Sequence, residues 1–163
     1  MSDIEDIAAI KAQEAALVFD RFDDETAFEV GSRLKRLGQA AGKSMAIDVR
    51  FWDRQVFFFG MGTTADNLEW IRRKANIVKR FHMSSYRFSM ELARSGKTMA
   101  DRLLHASDYA LAGGGVPITI ANVGVVGAVV VSGLPQRLDH GFAVQALAEQ
   151  LGIDPAPLAL KDL

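Results

Sequence analysis

The sequence contains no cysteine, which excludes disulfides, thiolate metal sites and thiol nucleophiles and fits a reducing compartment such as the cytoplasm. Neither charge dominates. Nineteen Lys and Arg stand against 20 Asp and Glu, a net charge of −1, so no basic footprint for nucleic acid is present and no such partner is expected. No apolar run approaches the ~20 residues that cross a bilayer. The opening MSDIEDIAAIK is acidic where a secretory signal is basic, so a soluble, unprocessed chain without a membrane partner is expected. The G-x-S-x-G elbow of a familiar hydrolase is missing. The three histidines, His82, His105 and His140, lack the paired spacing of a zinc site, and no metal is expected.

What is present is a chain of 163 residues, 49% hydrophobic, enough for one domain over 1–163 with a proper core. It is organised around Ala112 to His140, AGGGVPITIANVGVVGAVVVSGLPQRLDH. Val116, Ile118 and Ile120 alternate as in a strand, Asn122 and Gly124 supply turn chemistry, and Val125 to Val131 has no polar residue. This reads as a β-hairpin whose second arm lies in the middle of a sheet, covered on both faces. Ser132, Gly133 and Pro135 end the strand, and a helix starts with Asp139 and His140 in or near its first turn. Val144, Leu147 and Leu151 follow on the histidine's stripe.

Upstream, the spacing of Ile7, Ala8, Ala15 and Val18 predicts a helix. Asp23 or Asp24 caps a second, in which Ala27, Val30, Gly31, Leu34, Leu37, Gly38 and Ala41 recur at three and four residues; its small residues allow close packing. Met45 to Trp52 alternates as a strand. After a turn at Asp53 and Arg54, Phe57, Phe58 and Phe59 cannot share a face, so this return strand is expected to be covered on both sides by helices, a symmetry partner or a ligand. Gly60, Gly62 and Ala65 match a G-x-G-x-x-A dinucleotide fingerprint, but no acidic residue follows about 20 positions on; the alternative is a glycine turn into a helix capped by Thr63 or Thr64.

That helix, Ala65 to about His82, carries two apolar arcs, Leu68, Ile71, Ala75, Val78 and Trp70, Ile77, Phe81, which ask for cover on separate sides and so for a homo-oligomer. Lys74 falls within the apolar half. Either its stem snorkels to water or its charge sits in a pocket or interface with an anionic partner. Two further helices are expected, Tyr86 to Ala93 and a short one after a Thr98/Asp101 capping box, and the Pro155/Pro157 tail can dock through Leu158, Leu160 and Leu163. The predicted fold class is α+β: a central antiparallel sheet of two hairpins, covered by helices.

WIRRK (Trp70 to Lys74), GGGVPI and SGLPQRLDH together resemble the haem-degrading-domain family, the GlcG- and HbpS-like group, over nearly the whole chain and closest to its cytoplasmic branch. The resemblance implies an α/β sandwich of profilin-like layer arrangement and a high-order homo-oligomer. For function it implies an oligomeric ligand-binding protein, with haem or a related tetrapyrrole as a possible cofactor. His140 would then be the axial ligand, with Lys74, Trp70 and Asp139 around it and Lys74 or a nearby arginine pairing with propionates or another small anionic ligand. Two other classes fit the same residues: an enzyme on a small acidic metabolite, with His140 and Lys74 as acid/base and anion anchor, and an assembly module without cofactor.

Overall fold

A computed structural model describes residues 3–161; the expected docking of Leu163 lies outside them. The elements run α1 (Asp3–Ala16), β1 (Val18–Phe19), α2 (Asp24–Ala40), β2 (Met45–Phe51), β3 (Gln55–Met61), α3 (Ala65–Phe81), α4 (Ser85–Arg94), β4 (Gly115–Ile120), β5 (Gly124–Ser132) and α5 (Gln136–Gln150), with 3₁₀ turns at Ala100–Arg102 and Ala156–Leu158.

The two hairpins form, and they join through their inner arms. β2 pairs antiparallel with β3 on one side and with β5 on the other, Ile47 lying opposite Val131, and the strand order is β1-β4-β5-β2-β3. β5 is therefore the middle strand, as its unbroken apolar run requires. Asn122 at φ 62° and Gly124 at φ 115° turn the second hairpin. One strand was not foreseen: β1 adds a short parallel edge beside β4, Val18 opposite Thr119. The first helix ends at Ala16, and Val18 belongs to a strand too short to show any periodicity.

Alternation sorts the sheet into two faces. Met45, Ile47, Val49, Val116, Ile118, Val129 and Val131 form one, closed by α2 (Val30, Leu34) and α5 (Ala143, Val144, Leu147). Gly31 explains how α2 lies so close: a Cβ there would stand 2.3 Å from the Phe57 ring. The other face carries Ala46, Ala128 and Val130 under Ile71, Ala75 and Val78 of α3, which lies mainly over β4 and β5. Asp23 caps α2, accepting a hydrogen bond from the Thr26 backbone N–H at 2.9 Å.

Three expectations change. The second arc of α3 is covered within the chain, since Ile77 and Phe81 pack on Phe88 and Leu92, Phe81 and Phe88 stacking at 4.1 Å; only Leu68 of the two arcs stays 46% exposed. β3 is an edge strand that helices cover on one face alone, with Phe57 under α2 and Phe58 40% exposed on the opposite face, where a symmetry partner or a ligand is the remaining form of the expected cover. Gly60 to Ala65 connects an antiparallel strand to α3, N-capped by Thr64, outside any βαβ unit, which removes the dinucleotide reading.

Candidate functional site

The corner between β5 and α5 gathers most of the residues singled out from the sequence. Gly133, at φ 137°, turns the chain out of β5, and Pro135 sits at the helix N-cap, where its missing N–H costs nothing. Asp139 then lies in the first turn of α5. One carboxylate oxygen, Oδ1, accepts the Leu134 N–H at 3.0 Å, pinning the corner, and the other accepts from Lys74 Nζ at 2.9 Å. Lys74 reaches it from the middle of α3 and also donates to the Val131 carbonyl at 3.0 Å.

Both partners are buried, Lys74 at 3% and Asp139 at 1% exposure, so the lysine takes the paired alternative rather than the snorkelling one. Burial pushes the Lys74 ammonium below its usual pKa and the Asp139 carboxyl above its own, while each partner's charge pulls the other back. The glycine run makes room for the pair. Gly114 is at φ 128°, and a Cβ there would fall 2.2 Å from the Val131 carbonyl oxygen and 2.9 Å from Lys74 Nζ. Gly113 N–H donates to Gln136 Oε1 at 3.1 Å, tying this run to the start of α5.

A cavity of about 280 Å³ opens beside the pair, lined by Trp70, Lys74 and Asp139 with Asp66, Asn67, Ala112, Ser132, Gly133, Leu134 and Gln136. The Trp70 indole is held from both sides: its N–H donates to Asp66 at 3.0 Å, and the Arg73 guanidinium sits 4.3 Å from its ring centre. An ammonium has three donors. Lys74 commits two, leaving one for an acceptor in the cavity, whose wall includes the start of α5 and so its positive helix end.

His140, one residue beyond Asp139, points elsewhere. It is 0% exposed, does not line this cavity, and shares a 2.8 Å hydrogen bond through Nε2 with Gln13 Oε1 of α1. Because the Gln13 amide nitrogen donates to the Leu158 carbonyl at 2.6 Å, Oε1 is the acceptor and His140 carries its proton on Nε2. Burial lowers its pKa to about 3, so the ring is neutral. Among the described residues no imidazole lines the Lys74 cavity, and a haem seated there would find no axial ligand in His140.

Sequence reasoning missed two polar residues that organise the interior. Gln13 carries no pattern signal. Asp48 sits in the middle of β2, where alternation marks it as solvent-facing; it is 0% exposed and holds Arg50 at 2.6 and 3.1 Å, with the Gln55 amide also donating to it. A carboxylate amid Met45 to Phe51 was the available clue.

This architecture, an antiparallel sheet with a charged pair at the central strand-to-helix corner, is an α+β sandwich. The chain belongs to the HbpS-like family: its model, described as haem degrading protein HbpS-like, matches residues 22–148. A UPF0303 protein from Brucella ovis is 49% identical over 156 residues, covering 94% of this chain and 92% of that one. Among solved structures, the Ybr137w protein superposes with a TM-score of 0.80 at 26% identity, over 88% of this chain and 86% of that one. PduOC, solved as a haem complex, superposes at 0.65 and 15% identity, over 80% and 94%.

Proposed function

We propose that the chain is a binding protein for a small carboxylate-bearing ligand and that the Trp70–Lys74–Asp139 cavity is its site. The observation that carries this is Lys74: a buried ammonium with one donor uncommitted, fixed by Asp139 and Val131, on the wall of a cavity that α5 enters by its positive end. Trp70 supplies the apolar wall. Haem, with two propionates, belongs to this ligand class, and the family's description and the PduOC complex support it as the candidate. The cavity suits a propionate arm better than the iron. His140 then acts from behind, holding α5 to α1 through Gln13.

The reading includes self-association in the cytoplasm. The support is the open half of the sheet: α3 leaves β3 largely uncovered, and Phe58 and Leu68 stay exposed. The cysteine-free composition fits a reducing compartment.

Titration with hemin and with benzoate, a carboxylate without the macrocycle, tests the site, read by tryptophan fluorescence in a Trp52→Phe background. Wild type and folded His140→Ala bind, and the folded fraction of Lys74→Met, which leaves the Asp139 carboxyl without its partner, binds at least about tenfold more weakly, the loss of one charge-assisted hydrogen bond in a buried site. Equal binding by Lys74→Met, or a loss confined to His140→Ala, overturns the assignment.

A further inference from the structure

The buried carboxylate of Asp48 has a use that the Lys74 cavity does not share. A fully enclosed carboxylate is retained only with its charge compensated, and here it grips Arg50 through Nε at 2.6 Å and Nη2 at 3.1 Å, with Gln55 donating from the neighbouring strand. Two of the five guanidinium N–H donors are spent. The Arg50 side chain is 24% exposed, and Arg50 forms part of the wall of a separate cavity of about 180 Å³ between the β2–β3 turn and α3.

The same cavity is lined by Lys79, Gln55, Asn76 and Trp52. Asn76 and Trp52 are occupied, donating to the carbonyls of Asp108 and Val125, and so serve as fixed walls. Arg54 on the rim is neutralised by Asp53 and Asp24. Lys79 has no hydrogen bond or ion pair with any described residue. The cavity thus offers an oriented guanidinium whose charge is shared with buried Asp48, and a free ammonium, against one rim carboxylate already engaged.

We propose that this cavity binds a tetrahedral oxyanion, a phosphate free or as the end of a phosphomonoester. Arg50 meets it with preset donors, Lys79 supplies the mobile charge, and the second Gln55 amide hydrogen can serve a third oxygen. A planar carboxylate presents only two oxygens and fills this set less well.

The test is an amide and indole NMR titration of the full chain with inorganic phosphate, glycerol 3-phosphate and acetate. Phosphate is expected to shift the Arg50–Gln55 amides and the Trp52 indole. Lys79→Gln should weaken it about three- to tenfold, as befits a partly screened charge, and Arg50→Gln further still. Tighter glycerol 3-phosphate binding identifies a phosphomonoester ligand; equal binding identifies free phosphate. Lys74→Met should leave these shifts unchanged, so this site and the carboxylate site stand or fall separately. No shift in the hairpin, shifts indifferent to Lys79→Gln, or acetate binding as well as phosphate overturns the proposal. Lys79 is exposed, so its variant folds even where Arg50→Gln, by orphaning Asp48, does not.

Discussion

The two faces of the sheet are built from the same strands and differ completely in character. Toward α2 and α5 the positions of β2, β4 and β5 named above are Met, Ile or Val, and β3 adds the ring of Phe57 against Gly31. Toward α3 the strands carry Ala, Asp, Arg and Ser beside Val130, and the helix brings a lysine along with Ile71, Ala75 and Val78. Small side chains on this side leave room for buried charge and for cavities. The difference teaches that one face is closed by apolar packing alone, while the buried charges able to recognise a ligand lie on the other, on strands that the two faces share.

Breaking the polar face should have the largest effect. Asp139→Leu strands the Lys74 ammonium and is expected to cost about 3–5 kcal/mol, the range for orphaning one member of a buried pair. Lys74→Met/Asp139→Leu should recover most of it. Urea unfolding of the two variants checks this, and a double variant as unstable as the single would show that the pair itself supplies net stability. On the dry face, Leu147→Ala should cost about 3 kcal/mol by leaving a cavity, with ligand binding in the folded fraction unchanged; a loss of affinity at saturating fold would dissolve the separation.

The pH dependence sharpens the comparison, because His140 is sealed behind the site. Its folded pKa of about 3 lies below the ordinary value near 6.5, so between them the unfolded chain binds the extra proton. Stability therefore falls on acidification from about pH 6.5 toward 3, by up to ~1.4 kcal/mol per pH unit from this group. Thermal melts should reveal the slope, reduced in His140→Gln; equal slopes would mean that the ring is not enclosed. The smallest effect on the fold is expected at Phe58→Lys, on the exposed edge strand: within about 0.5 kcal/mol for the chain itself, yet a drop in mass by light scattering if β3 lies at a subunit contact.

Much of this was legible in the residues. Period-two alternation placed β2, and an apolar run without a polar break put β5 in the centre. Glycine and proline at 133 and 135 announced the corner, and Lys74 in an apolar arc left two alternatives, a snorkelling stem or a charge paired with an anion, of which the second is the one found. What no pattern could supply was distance. Asp139 read equally well as a helix-start charge, and its place 2.9 Å from Lys74 depends on how α3 crosses the sheet. His140 shared a stripe with Val144 and Leu147, and the stripe was right, yet which wall it faced depended on Gln13 from a helix 127 residues away. Asp48 and the covered arc of α3 were misplaced for the same reason: burial by a distant element leaves no local trace.

The account rests on the polar face holding the ligand, and native mass spectrometry of protein purified without added cofactor addresses that most directly. Wild type should carry a retained carboxylate-bearing species that Lys74→Met/Asp139→Leu, folded and without the ammonium, has lost. The same bound mass at the same occupancy in both proteins would contradict it.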